Sequence, residues 1–427
     1  MHRHPSSRPV GIPGGTPCLC HTSSVQTDKN LTQVRVCSRR MTVRGHMSGG
    51  SRARVAVVGA GPAGLAVAAT LARRGVSAAV LERGASVATS WRGHYDRLHL
   101  HTVRWLSHLP GYRIPRTAGR WVSRDEVIAY LERYAVHHDL EIRTGVTVRR
   151  VERSGDGWSL RCDDGGRHDL RARAVVVATG YNHSPLLPEW PGRRTYRGTL
   201  CHAADYRNGT PFRGQDVLVV GAGNTGAEIA VDLVEHGAAR VRLAFRTPPH
   251  ILRRSQFGIP TQLVAVLLRH APVALADRLA EPVRKRSVPR LDHKGLPDPG
   301  PGVYRGSARG EIPILDTGVV DAVLDGRVEP VPAVTGFDGD RVRLADGTAI
   351  RPDAVIAATG YRRGLEPLVG HLGVLGPTGL PLVHGPRTHR TAPGLHFIGY
   401  TNPPSGMFRE ITLDARQIAA ALSRTDS

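Results

Sequence analysis

Cysteine and aromatic side chains are scarce in this sequence, and lysine is almost absent. Of five cysteines in 427 residues, Cys18, Cys20 and Cys37 fall in the first 50, leaving only Cys162 and Cys201. That argues against a disulfide framework and for a reducing, cytoplasmic setting. No cysteine or histidine cluster has the spacing of an iron–sulfur or zinc site. No apolar run is long enough for a bilayer: Thr261 to Ala276 is interrupted by Arg269, His270 and Pro272. Only Lys29, Lys285 and Lys294 are lysines among 58 basic residues, and the formal charge is +22. The arginines are scattered, with no aromatic-studded basic stripe, so no nucleic-acid partner is expected. Phosphate-bearing cofactors and anionic substrates suit the charge better.

Apolar residues make up 40% and charged residues 22%, ordinary for a soluble α/β chain long enough for two cores. Residues 1–50 have no helical or strand period and read as a disordered leader or a start drawn too far upstream. Met41 and Met47 are the alternative starts, the second favoured. Arg39-Arg40 lacks the apolar stretch that an export signal needs.

Regular structure begins at Val55 to Val58, a β-branched run followed by "GAGPAG" and an Ala-rich helix from about Pro62 to Arg74. Val76 to Leu81 reads as a strand ending in Glu82. Ser123, with Glu126 three positions on, opens a helix reaching His138. Residues 145–173 read as a β-meander, and Ala174 to Ala178 as a buried strand ending in "ATGY". A second cycle follows: Val217 to Val220, "GAGNTG", a helix from Asn224 to His236, and the strand Val241 to Phe245. Ala354 to Ala358 repeats the "ATGY" strand end, and a helix from about Leu413 to Ser423 closes the chain. The expected fold is α/β, with two Rossmann-like dinucleotide-binding domains in three layers, one inserted into the other. Residues 51–195 and 350–427 form the FAD domain, and 196–349 the NADPH domain with a helical insertion at 255–300. The apolar run Leu263 to Leu268 in that insertion either lines a tunnel or packs in a core, packing being favoured.

Gly59, Gly61 and Gly64 follow a strand and open a helix. In that order they permit the tight turn, the approach of a pyrophosphate and the close packing of helix on strand. The helix N-terminus offers N–H groups and a positive dipole end to the phosphates. Glu82, at the end of the next strand, can accept hydrogen bonds from ribose hydroxyls. Gly221, Gly223 and Gly226 repeat the pattern, but the following strand ends in Arg246 rather than an acid. A guanidinium can hold a 2′-phosphate, which favours NADPH over NADH. A solvated surface arginine is the bland alternative, and Arg253 and Arg254 are further candidates. Trp91, Thr179, Gly180, Asn224 and Gly399 complete the expected cofactor contacts.

Between the two fingerprints runs "YRGTLCHAADY", with Tyr196, Gly198, His202 and Tyr206. It resembles the motif F-x-G-x-x-x-H-x-x-x-(Y/F) of the flavin-containing monooxygenases, with Tyr at the first position. Tyr206 separates it from the Baeyer–Villiger subgroup, which has Trp there. "WRGHYDRLHLHT", "EIPILDTGVVDAVLDGRVEPV" and "PDAVIAATGY" are similar to segments of the YUCCA-like branch in order and spacing. The resemblance runs from about Arg54 to Arg424.

It implies FAD, NADPH and O2 as reactants, with reduced flavin holding oxygen as a peroxide that oxygenates a small organic substrate. An indole-3-pyruvate-type keto acid is the substrate by analogy. His202 is the candidate catalytic residue, with a structural hydrogen bonder at a hinge as the equal alternative. The Asn that many flavin-containing monooxygenases place near the flavin has no match in "LHLHTVRWLSHLP". A reductase or oxidase without oxygenated product, and a redox-sensing nucleotide binder, are the rival functions. Disulfide reduction is disfavoured by the lack of a cysteine pair beyond Cys18 and Cys20. The sequence is compatible with a homodimer.

Overall fold

The computed structural model describes residues 53–424 except Phe257. The leader, its cysteines and its alternative starts lie outside the described residues. Two sheets organise the rest. In the first, Ala53–Val58 lies between the parallel strands Ala78–Glu82 and Arg167–Val177, and Ile142–Thr144 extends the Ala78 side. Arg167–Val177 is shared between two arrangements. Its first half pairs antiparallel with Gly157–Asp163, which pairs in turn with Thr147–Ser154, giving the expected meander. Its second half runs parallel to Ala53–Val58 and Leu395–Phe397.

The second sheet is wholly parallel, in the order Thr199–His202, Ala354–Ala357, Asp216–Val220, Arg240–Phe245, Val328–Pro332. Its own three-stranded antiparallel sheet (Val334–Asp338, Arg341–Leu344, Ala349–Ile350) covers one face. Ala354–Ala357 therefore sits inside the second sheet, so the boundary expected at 350 falls too early. The apolar repeat before "ATGYR" belongs to the unit that precedes it.

The central strands Ala53–Val58, Asp216–Val220 and Ala354–Ala357 carry apolar runs because both faces are covered. Val55 and Val57 meet the helices Pro62–Ala72 and Met407–Arg424, while Ala56 and Val58 face the meander side. Val217 and Val219 meet the helix Asn224–Glu235, and Leu218 and Val220 face the small antiparallel sheet. Each such Val, fully buried, contributes about 1.5–3 kcal/mol of transfer free energy.

Ser123 Oγ accepts the Glu126 N–H at 3.3 Å and opens the helix Arg124–His137. The closing helix starts at Met407, about six residues earlier than expected, because Phe408 and Ile411 continue its buried face. The insertion holds the helices Thr261–Leu268 and Val273–Ser287. The favoured core packing of its apolar run does not occur. In Thr261–Leu268 only Gln262 and Ala265 are buried, while Val264 and Leu267 stand exposed. No helix among the described residues is long and apolar enough to cross a membrane.

Candidate functional site

At the first turn Gly59 has φ +107°, and a Cβ there would lie 2.6 Å from the Ala178 carbonyl oxygen. A Cβ on Gly64 would lie 1.9 Å from the Gly59 carbonyl oxygen, so the helix can approach the strand only with glycine. Gly61 differs, since a Cβ there meets nothing within 4 Å. Gly61 caps the helix with no side chain on its N–H groups. The turn is therefore tight where protein meets protein and open where a pyrophosphate would approach, which fits the group. Glu82 is buried, and its two oxygens accept N–H groups from Ala60 and Gly84, each at 2.8 Å. Each oxygen keeps a further lone pair for a ribose hydroxyl.

Two more segments converge on this turn. Gly399, with φ +82°, brings the chain against Ala63, and the buried Tyr400 hydroxyl meets the Thr179 N–H at 3.1 Å and its Oγ1 at 2.8 Å. Gly180 takes φ +92° with open space beside it. Trp91 stands half-buried in the short helix Thr89–Arg92, edge-on to Phe408 and His94.

The second turn repeats the first. Gly221 has φ +113° and would place a Cβ 2.5 Å from the Ala358 carbonyl oxygen. A Cβ on Gly226 would lie 1.9 Å from the Gly221 carbonyl oxygen, and Gly223 again faces open space. The Asn224 amide is committed to the backbone, donating to Pro313 and accepting from Leu315. It pins the strand Ile314–Asp316 beside the turn. The register refines the expected counterpart of Glu82. Gly59 N–H donates to Leu81 and Gly221 N–H to Ala244, so Phe245 is the equivalent position and Arg246 lies one residue beyond. Arg246 is exposed and makes no side-chain hydrogen bond or ion pair among the described residues. Arg253 is occupied: it donates to the Ser287 carbonyl and faces Asp316 and Asp321.

The motif around His202 is an internal brace. Tyr196 donates to the Pro352 carbonyl at 2.6 Å, and a Cβ on Gly198 would strike the Tyr196 hydroxyl. Tyr206, buried, donates to Asp232 at 2.5 Å. His202 Nδ1 accepts the Ala204 N–H at 3.0 Å, so the proton sits on Nε2 and is donated to the Gly360 carbonyl at 3.1 Å. Burial lowers its pKa and keeps it neutral. Both ring nitrogens are thus spent on backbone groups flanking the second "ATGY" end.

Sequence reasoning missed a buried cluster where the two units meet. Glu228, five residues after Gly223, is almost wholly buried; Tyr95 donates to its Oε2 at 2.8 Å, and His101 Nε2 lies 3.2 Å from its Oε1. Burial pushes the Glu228 carboxyl up to about 7 and His101 down to about 4, the latter helped by Arg254. The available signal was an acid set between Ala227 and Ile229 in an otherwise apolar helix stretch. Beside the cluster, buried Gln262 of the insertion accepts the Val103 N–H at 2.9 Å and donates to the Ser405 carbonyl at 2.7 Å.

Two glycine turns of one build, each opening a helix from a parallel sheet, define an α/β oxidoreductase of the dinucleotide-binding class. Cys162 and Cys201 are the free cysteines of the described residues. Residues 56–258 match the pyridine nucleotide-disulphide oxidoreductase family. Indole-3-pyruvate monooxygenase YUCCA1 of Oryza sativa subsp. japonica is 38% identical, over 81% of this chain and 86% of its own length. Probable indole-3-pyruvate monooxygenase YUCCA3 of Arabidopsis thaliana is 33% identical, over 85% of each. A flavin-containing monooxygenase from Stenotrophomonas maltophilia has the same fold at TM-score 0.64 and 27% identity, over 86% of this chain and 98% of its own. The chain belongs to the flavin-containing monooxygenase family, in its YUCCA-like branch. It is an FAD-dependent monooxygenase, so the reductase and sensor alternatives fall away.

Proposed function

We propose that the enzyme uses NADPH as reductant and places one oxygen atom of O2 on a small organic acid, an α-keto acid of the indole-3-pyruvate type. The second glycine turn carries this reading, because it repeats the closest backbone contacts of the first and leaves Gly223 open to a pyrophosphate. FAD lies on the first unit, its pyrophosphate at Gly61 and its ribose at Glu82. Thr179, Gly180, Gly399 and Trp91 line that crevice. NADPH lies on the second unit at Gly223, with Arg246 free to pair with its 2′-phosphate.

Bound flavin supplies the redox and oxygen chemistry, and the protein orients the partners and excludes water. His202 is a positioning residue. It ties the strand Thr199–His202 to Gly360 and so sets the second "ATGY" end against the NADPH turn. The acidic substrate is supported by the names of the relatives and by the chain's excess of arginine.

Turnover under labelled O2 tests the reading. One labelled atom should enter the carboxylic acid formed from the keto acid with loss of CO2, the other leaving as water, with NADPH consumed one for one. His202→Ala should lower that ratio and release hydrogen peroxide, while flavin reduction by NADPH survives. His202→Asn, which can still accept the Ala204 N–H, should restore part of the coupling. A product free of label would sink the proposal.

A further inference from the structure

Arg253 and Arg254 are neighbours with opposite fates. Alternation along the strand Ile251–Arg253 sends Arg253 toward Ser287, Asp316 and Asp321 and Arg254 to the other side. There the Arg254 guanidinium lies over the Trp121 ring, 4.9 Å from its centroid. Its Nε is buried without a hydrogen-bond partner, and no carboxylate among the described residues lies within ion-pair distance. Burial lowers its pKa, as an uncompensated cation requires. The acids close enough to act on it are Glu228 and Asp316. Glu228 is turned to Tyr95 and His101, and Asp316 accepts the N–H groups of Gly318 and Val320 and faces Arg253. Arg97, a neighbour of like charge, is spent on Glu235. A half-buried guanidinium with stacking on one side and no anion is an unfinished site.

Its position says which anion completes it. Trp121 pairs with Val103 in the two-stranded ribbon His99–Val103 and Trp121–Ser123. That ribbon touches both units: His101 reaches Glu228 of the second-turn helix, while Val103 reaches Gln262, which holds Ser405. The same C-terminal stretch carries Gly399 against Ala63 and Tyr400 against Thr179 at the first turn. Arg254 thus looks into the seam between the two cradles, where a substrate must meet both cofactors. Arg246, directly after the strand bonded to Gly221, is placed for the nucleotide instead.

We propose that Arg254, stacked on Trp121, binds the carboxylate of the substrate in this seam. The proposal rests on the acidic-substrate reading above. A planar guanidinium takes a carboxylate through two parallel hydrogen bonds, which fixes the direction of the acid as well as its affinity.

The test uses the FAD-loaded full chain with indole-3-pyruvate as probe, and a neutral thioether as control substrate. Binding is read from the perturbed flavin spectrum and turnover from labelled-oxygen product. Arg254→Gln should weaken indole-3-pyruvate by about ten- to a hundredfold in Kd and KM. The KM for NADPH should hold, and so should that for the thioether. Arg254→Lys keeps the charge but not the two-pronged geometry, and should fall between wild type and Arg254→Gln. If Arg254→Gln does not retain FAD, the lysine variant alone carries the comparison. Unchanged keto-acid affinity in an FAD-retaining variant overturns the proposal, as does a rise confined to the KM for NADPH. A wild-type enzyme that oxygenates the thioether but binds no keto acid refutes the acidic-substrate reading itself, and Arg254 with it.

Discussion

The two glycine turns are built alike and finished differently. Each has a first glycine at φ above +100° against an "ATG" strand end, a third glycine pressed on the first, and a middle glycine facing open space. After the first turn the carboxylate of Glu82 is buried and bonded to backbone on both sides of the crevice. After the second the equivalent position is Phe245, and Arg246 beyond it is exposed and unpaired among the described residues. A cradle closed by a fixed, buried acid suits a cofactor that stays. One finished by an exposed cation suits a nucleotide that binds and leaves. The helices differ too: Ala66 and Glu228 hold the same place relative to the three glycines, and both are buried.

The largest expected effect separates the middle glycines. Gly61→Val should give folded protein without flavin, because the added methyls fill the space left for the pyrophosphate and touch no backbone. Gly223→Val should stay yellow but lose reduction by NADPH. Absorbance of the purified variants and anaerobic mixing with NADPH check both. If Gly223→Val also comes out colourless, the two turns are not divided between two nucleotides as proposed.

A smaller effect falls at the strand ends. Arg246→Ala should raise the KM for NADPH about ten- to a hundredfold, the loss of one charge-assisted contact. The KM for NADH should barely move. Equal rises for both nucleotides would return the 2′-phosphate to another group.

Much of this plan was legible in the sequence because backbone requirements leave a local signature. The glycine spacing, the apolar runs of buried parallel strands and the Ser123 cap are each set within a few residues. Pairing between distant segments is not. Ala354–Ala357 reads equally well as a strand of either unit until its register against Asp216–Val220 is seen. The motif around His202 was visible, but its use as a brace depended on Pro352, Gly360 and Asp232. Glu228 and His101 escaped notice for the same reason, and Arg254 was read only as a further candidate for the 2′-phosphate: the three come from separate segments, and only the fold brings them together.

The last expected effect, small in the wild type because two slopes cancel, is a dependence of stability on pH that the second helix has and the first, with Ala66, lacks. Glu228 has a folded-state pKa raised from 4.5 to about 7, so the folded protein holds its proton more tightly than the unfolded chain. Its favourable contribution is full below about 4.5 and is lost as pH rises toward 7. His101 works the other way. Its pKa is lowered from 6.5 to about 4, so its contribution is full above 6.5 and is lost as pH falls toward 4. Between about 4.5 and 6.5 the two slopes oppose each other, and wild-type Tm should change little from this cluster. Arg254, Arg97 and Asp232 also face Glu228, and Arg254 and His99 face His101. Glu228→Gln keeps an acceptor for Tyr95 and removes one slope, so its Tm should climb with pH from 4 to 6.5 more steeply than wild type. His101→Gln should do the reverse, its Tm falling from pH 4.5 to 7. Each slope is worth on the order of 3 kcal/mol across its full window. Parallel Tm profiles for wild type and both variants would mean that neither group carries the displaced proton affinity that burial at this seam imposes.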